Sequence, residues 1–352
     1  MDRSSELLGA MPEMDSMTVL AVITALEEHF DFIANDTEFD PKHFESVGAL
    51  LDFIDEESGG SDRALASSGM SPEFLELPSG RLFALRQIPT TPGSKPVVLL
   101  CPPFAEELNK SRRQISIQAR AFRDAGYPVV VFDLYGTGDS EGSFVDASVK
   151  QWQENFQDVL RWLKAAGHEA CILWAIRFGA LFVDDIITSE ILPVKKVLLW
   201  QPEFSGNQVL RQFLRLQAAA NMFSNSKGMS VADLEAQLMQ GNSVEVAGYG
   251  ISSNLYTEAK QLKLANTQFG SGIDVTWLHV LSAPQTSPPE RVKKLAAQWQ
   301  SHQSDVELIP VEGANFWSPA DLVVIPELVE KSIEAVTKSK TSSASRRLDQ
   351  HD

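Results

Sequence analysis

Cysteine is nearly absent from this chain: two residues in 352, Cys101 and Cys171. Both fall in apolar, strand-like runs, so they read as buried thiols rather than as a disulfide framework or a cysteine metal site. Long apolar runs are absent as well. No stretch approaches the roughly 20 residues that a membrane-spanning helix needs, and the first residues show no basic region followed by an apolar stretch of leader length. The expectation is a cytoplasmic, non-transmembrane chain. Basic residues are scarce, with 30 Lys and Arg against 47 Asp and Glu and a formal charge of -17. That balance excludes the basic footprint of a nucleic-acid binder. The imbalance is local: residues 1–60 hold fifteen acidic and two basic side chains, while the rest of the chain is almost balanced. An acidic first segment suits docking on basic partner surfaces or is a solvated face.

Hydrophobic residues make up 43% of the chain, ample for one large α/β domain with a small appendage. In the appendage, Met17, Leu20, Val22, Ile23, Leu26 and Phe30 recur at helical spacing behind Asp15 and Ser16, either of which can cap the first turn. A second helical pattern follows Asp40-Pro41 and uses Phe44, Val47, Leu50, Leu51 and Ile54. Two short amphipathic helices need a further surface to be stable. Gly59-Gly60-Ser61 and Ser67-Ser68-Gly69 mark a linker, and Lys338–Asp352, rich in Ser, Lys and Arg, reads as a disordered tail.

From Phe74 onward the pattern becomes a repeated strand–helix alternation. Phe74 to Gln87 predicts a hairpin turning at Pro78-Ser79-Gly80, and Pro96–Pro102, Pro128–Phe132, Cys171–Trp174, Val197–Trp200, Val275–Leu281 and Val306–Ile309 read as strands. Pro102 to Arg113 reads as a loop leading to a helix from about Ile115 to Ala125; further helices are expected over about Val149–Ala166 and Pro326–Ala335. Loops at the C-terminal ends of such strands are where open parallel sheets bind ligands. Ala175-Ile-Arg177-Phe-Gly179 stands at one of these ends, in the place and form of a nucleophile elbow, Gly-x-Ser-x-Gly, with arginine where the nucleophile belongs. Arginine stays protonated and carries no nucleophile.

Asp133 to Gly142 reproduces an Asp-x-x-Gly-x-Gly-x-Ser-x-Gly segment. Together with the elbow, it resembles the α/β-hydrolase superfamily. Pro102 to Arg113, Leu173 to Ala180, Trp200-Gln-Pro, Gln212 to Leu216 and Val246-Ala-Gly-Tyr are more closely similar to the exosortase A system-associated hydrolases, nearest to their second type, over about residues 74–335. The resemblance implies an α/β-hydrolase fold with a mostly parallel sheet and a helical cap at about 206–255, and a place in bacterial exopolysaccharide biosynthesis. Residues 7–57, through Asp15-Ser16-Met17 and the later Phe44-Glu-Ser-Val-Gly-Ala-Leu, resemble an acyl carrier protein with only about ten residues where that family has a long first helix, so either that helix is absent from this sequence or the segment is a degenerate adaptor. That likeness implies 4'-phosphopantetheine on Ser16, attached by a phosphopantetheinyl transferase. The resulting division is a carrier-like segment 1–58, a linker 59–73, a hydrolase-like domain 74–336 and a tail 337–352.

In the superfamily an acid follows a late strand and a histidine follows the last one. Here those loops read Ser282-Ala-Pro-Gln and Val311-Glu-Gly-Ala-Asn315, and none of the six histidines falls in either; His279 reads as a packed strand residue. A conventional Ser-His-Asp mechanism is therefore not expected. Glu106, Glu107, Lys110 and Arg112 stand where oxyanion donors would be, and Arg177 is expected either to pair with Glu106 or Glu107 or to bind a ligand carboxylate or phosphate. Two functions follow. One is an acyl- or acyl-thioester-handling protein that works with other acyl-handling enzymes; the other is a noncatalytic adaptor that recruits them. No metal is implied.

Overall fold

The computed structural model describes residues 46, 48–49, 69–91, 93–223, 229–270, 272–301, 305–318 and 323–338. Ser16, most of the two N-terminal helices, the first part of the linker and the tail beyond Lys338 lie outside the described residues. Gly48 and Ala49 are helical, with the Ala49 N–H donating to Ser46 Oγ at 3.1 Å. The chain divides into two compact units, Met1–Ser71 and Pro72–Asp352.

Eight strands form one sheet in the order β1-β2-β4-β3-β5-β6-β9-β10. They are β1 (Met70–Leu77), β2 (Gly80–Gln87), β3 (Val97–Cys101), β4 (Val129–Phe132), β5 (Cys171–Ile176), β6 (Val194–Trp200), β9 (Asp274–Leu281) and β10 (Asp305–Glu312). The first of them begins at Met70, within the stretch read from the sequence as linker. Pairing is antiparallel between β2 and β4 and parallel from β4 through β10. Every residue of β3 and β5 is buried, as expected for central strands covered on both faces. Alternation then sorts their side chains: Val97, Leu99 and Cys101 face one core, Val98 and Leu100 the other.

The helices are α1 (Glu106–Asp124), α2 (Val149–Ala165), α3 (Val183–Thr188), α4 (Gly206–Phe223), α5 (Val231–Met239), α6 (Ser253–Ala259), α7 (Glu290–Ser301) and α8 (Pro326–Thr337). Leu108, Ile115, Ala119 and Phe122 of α1 share a core with Leu328 and Val336 of α8. The opposite core takes α2, α3, α7 and the cap. α1 corrects the sequence reading: it starts at Glu106, not near Ile115, so Glu106, Glu107 and Lys110 stand on a helix instead of in a loop. Their polar run hid a buried stripe at Leu108, Ser111 and Ile115, and two glutamates in the first turn suit the helix dipole. Ser148 caps α2 by accepting from Gln151 N–H.

The insertion between β6 and β9 is helical through α4, α5 and α6 and also contains a small hairpin, β7 (Val244–Val246) and β8 (Tyr249–Ile251), which turns on Ala247 and Gly248, both at positive φ. Tyr249 fixes it to the main domain by accepting a 2.7 Å hydrogen bond from Asn109 Nδ2. Leu210, Phe213 and Leu214 of α4 are buried, whereas Leu216 is half exposed.

Cys101 and Cys171 are free and buried, as read. Register separates them: Cys101 pairs with Ala175 and Cys171 with Val97, at opposite ends of neighbouring strands. Burial pushes the Cys101 thiol up and the Cys171 thiol up to about 12, so neither supplies thiolate. No described helix is long and apolar enough to cross a membrane.

Candidate functional site

β5 delivers its last buried residue, Ile176, in extended conformation, and the chain reverses at Arg177, whose φ is +52°. A left-handed backbone is strained for a residue with a Cβ and is held only where its surroundings demand it. A 3-10 turn, Arg177–Phe182, runs from this point into α3. The second small residue of the elbow, Gly179, lies against β3 so closely that a Cβ there would meet the Cys101 carbonyl oxygen at 2.1 Å. The strand-to-helix elbow is thus built as the sequence suggested, with an arginine at its tip.

The Arg177 side chain is enclosed by carboxylates. Its Nη2 donates to Glu107 Oε1 at 2.7 Å and its Nε to Glu107 Oε2 at 3.3 Å, a forked pair reaching from the elbow to the first turn of α1. Nη2 also pairs with Glu203 Oε1. Glu203 holds the same residue a second time, since its N–H donates to the Arg177 carbonyl at 3.1 Å. Trp317 covers the guanidinium, with the Arg177 Cζ 4.5 Å from its ring centroid. Burial works against the guanidinium charge, but Glu107 and Glu203 outweigh it and hold Arg177 above its ordinary pKa. Glu203, only 4% exposed, shows the reverse balance: burial raises its carboxyl and the nearby Arg177 charge only partly offsets this.

Of the expected pairings, the structure forms the one with Glu107. Glu106 points elsewhere, to Lys110 at 3.6 Å along the same helix. Lys110 therefore balances Glu106 and makes no ion pair with Arg177's carboxylates among the described residues. Arg112 reaches Asp133 at 3.5 Å. Asp133 also accepts from Asp139 N–H, and a Cβ on Gly138 would sit 1.9 Å from its Oδ2, so the glycine-rich segment after β4 is wound directly on this carboxylate. Sequence reasoning overlooked Glu203. The available signal was an acidic residue three places beyond Trp200, at the C-terminal end of a central parallel strand, where ligands collect.

A cavity of about 260 Å³ opens over the pair. Phe104, Val209, Phe213 and Leu216 form its apolar wall, and Glu106, Glu107 and Arg177 its charged floor. Phe104 packs on Phe178 and Phe213 at ring distances of 5.0 and 5.4 Å, joining the elbow to the cap. The loop after β10 brings in Asn315, Trp317 and Ser318; Asn315, at the position expected of the histidine, does line the cavity but is no base. The loop after β9, Ser282 to Gln285, lines a different cavity and supplies no acid. His279 is buried in β9 beside Trp277, and burial, followed by the charge of Arg291, depresses it to about 4; it is a neutral packed residue at physiological pH. Among the described residues, no group of three or more His, Cys, Asp and Glu side chains is arranged to hold a metal ion.

Residues 81–254 match the family model of X-Pro dipeptidyl-peptidase (S15 family). No curated protein matches the chain. Among solved structures, Est1E from Butyrivibrio proteoclasticus with ferulic acid bound is similar at a TM-score of 0.54 and 16% identity, over 76% of this chain and 100% of that one. A second structure of Est1E gives 0.51 at 14% identity, over 75% and 95%. A protein of Agrobacterium vitis S4 gives 0.52 at 16% identity, over 76% and 98%. Likeness at such low identity speaks for architecture alone, and it agrees with the elbow and with the strand order: this chain has the α/β-hydrolase fold.

Proposed function

We propose that this protein handles acyl or acyl-thioester groups in its α/β-hydrolase pocket without a Ser-His-Asp triad, as a carrier-fused component of a bacterial exopolysaccharide or exosortase-associated pathway. The observation that carries the reading is Arg177 at the elbow tip, pinned by Glu107 and Glu203 beneath a cavity walled by Phe104, Val209, Phe213 and Leu216. The apolar wall desolvates a hydrocarbon chain, as ligand cavities do. The floor cannot form an acyl-enzyme, because its elbow residue has no nucleophilic atom and neither triad loop supplies a base or an acid. Glu107 also places a carboxylate beside the elbow, which disfavours a developing oxyanion.

Calorimetric titration with the neutral thioester S-decanoyl-N-acetylcysteamine tests the acyl reading. Saturable binding is expected, weakened about tenfold by Leu216→Asp, whose half-exposed position tolerates the change. No acyl adduct is expected on the peptide containing Arg177. Absence of saturable binding by the folded wild type would overturn the reading, and an adduct at the elbow would overturn its non-triad part.

The carrier part is tested separately. Coexpression with a phosphopantetheinyl transferase is expected to add one phosphopantetheine per chain, seen by intact mass, and Ser16→Ala to abolish it. An unmodified wild type would remove Ser16 and its cofactor from the proposal while leaving the pocket untouched.

A further inference from the structure

We infer that the cavity over Arg177 selects acyl groups presented in a neutral linkage, such as a thioester, ester or amide, and rejects the corresponding free acid, with Glu107 and Glu203 as the residues that set this preference. The inference rests on the acyl reading above and adds the charge class of the ligand.

An arginine at the floor of an apolar pocket normally suggests a carboxylate or phosphate partner, because its planar fork matches both. Here the fork is occupied. The side-on edge, Nε and Nη2, already holds Glu107 at 3.3 and 2.7 Å, and Nη2 of the end-on edge is shared with Glu203, so neither edge that could dock a carboxylate with two parallel bonds is whole and an incoming anion would find Nη1 alone. Trp317 lies over the guanidinium and covers the approach from that side. One arginine between two glutamates leaves this cluster one negative charge in excess when both are ionised, with Glu107 lining the cavity and Glu203 buried outside its lining and acting through Arg177. Glu106, also on the floor, is balanced by Lys110 and adds no attraction for an anion.

A fatty carboxylate entering this cavity must lose its hydration and then either stand against Glu107 at short range or displace it. Displacement would leave Glu107 unpaired, and like charges set side by side in a desolvated site are among the strongest sources of rejection. A neutral acyl linkage meets neither obstacle. Its hydrocarbon takes the wall of Phe104, Phe213 and Leu216, and its carbonyl oxygen finds neutral donors in Gln212, Asn315 and Ser318, which line the same cavity. The geometry therefore separates bound acyl groups from the free acid that their hydrolysis releases.

The test compares S-decanoyl-N-acetylcysteamine with sodium decanoate at pH 7.5, each titrated to displace the neutral dye Nile red from the full-length protein. The thioester is expected to displace at a concentration at least about tenfold lower than decanoate. Glu107→Gln and Glu203→Gln, made separately so that one folded variant suffices, are each expected to narrow that ratio, chiefly by strengthening decanoate. Decanoate displacing as well as the thioester or better overturns the selectivity and leaves the acyl reading standing. Failure of both ligands to displace overturns the acyl reading and the selectivity together. A ratio that stays unchanged in the folded variants overturns the assignment to these glutamates.

Discussion

Arg177→Ala is expected to lower folding stability by about 3–5 kcal/mol, the effect of breaking a buried ion pair from one side. The substitution leaves Glu107 and Glu203 facing each other across the space the guanidinium filled, and Glu203 has almost no access to water. The loss should depend on pH, and its sign can be fixed in advance. Glu203 already titrates above the ordinary carboxylate range because burial penalises its charge and Arg177 offsets only part of that penalty. Removing Arg177 raises it further. A carboxyl whose folded pKa lies above its unfolded one costs nothing while protonated in both states; the penalty grows as pH rises from the unfolded value through the folded one. Urea denaturation should therefore show the deficit smallest near pH 4.5 and largest at neutral pH. Glu203→Gln in the Ala background should restore a substantial part of the loss at neutral pH and little in acid. A deficit below about 1 kcal/mol that does not change with pH would mean that the three side chains are not coupled as described.

Gly179→Ala is expected to be nearly as damaging through packing alone. A Cβ at this position would lie 2.1 Å from the Cys101 carbonyl oxygen, 2.4 Å from its carbonyl carbon and 2.7 Å from the Pro102 carbonyl oxygen. All three are backbone atoms of Cys101, the last residue of the buried strand β3, and of Pro102 just beyond it, and cannot rotate out of the way. Accommodation requires the elbow to move off the strand, at a cost of about 3 kcal/mol or more, read as a fall in Tm of roughly 6–12 °C. Gly93→Ala provides the control, because nothing lies within 4 Å of a Cβ there and its φ is not left-handed. It should leave Tm within about a degree of wild type. Equal losses at the two positions would show that the close approach of elbow and strand is not what holds residue 179 to glycine.

Both substitutions fall in the part of the molecule that is most legible in its amino-acid sequence. The strands from Pro96 onward announce themselves as short apolar runs, and Ala175, Arg177 and Gly179 declare an elbow because steric closeness leaves few residue types able to stand there. Legibility fails where the signal is polar or short. Glu106 to Arg113 reads as loop because charged residues dominate it, and only the spacing of Leu108, Ser111 and Ile115 betrays a helix whose buried face includes a serine and two glutamines. The cap hairpin has three residues per strand, too few to establish an alternation. Glu203 belongs to no motif. Its role comes from β5 and β6 lying side by side, a long-range fact that no local pattern records.

The double hold of Glu203 on Arg177, once through the backbone carbonyl and once through the guanidinium, bears on how such a site can change over generations. A serine arriving alone at position 177 would leave two carboxylates with no counter-charge, and a neutral residue arriving alone at 107 or 203 would shift the balance around a strained arginine. The step at 177 taken first passes through a less stable intermediate, with two carboxylates left unpaired, whereas the three together do not. Positions 107, 177 and 203 are accordingly expected to be inherited as a block, and a descendant that gained a nucleophile at the elbow would have shed both acids along the way.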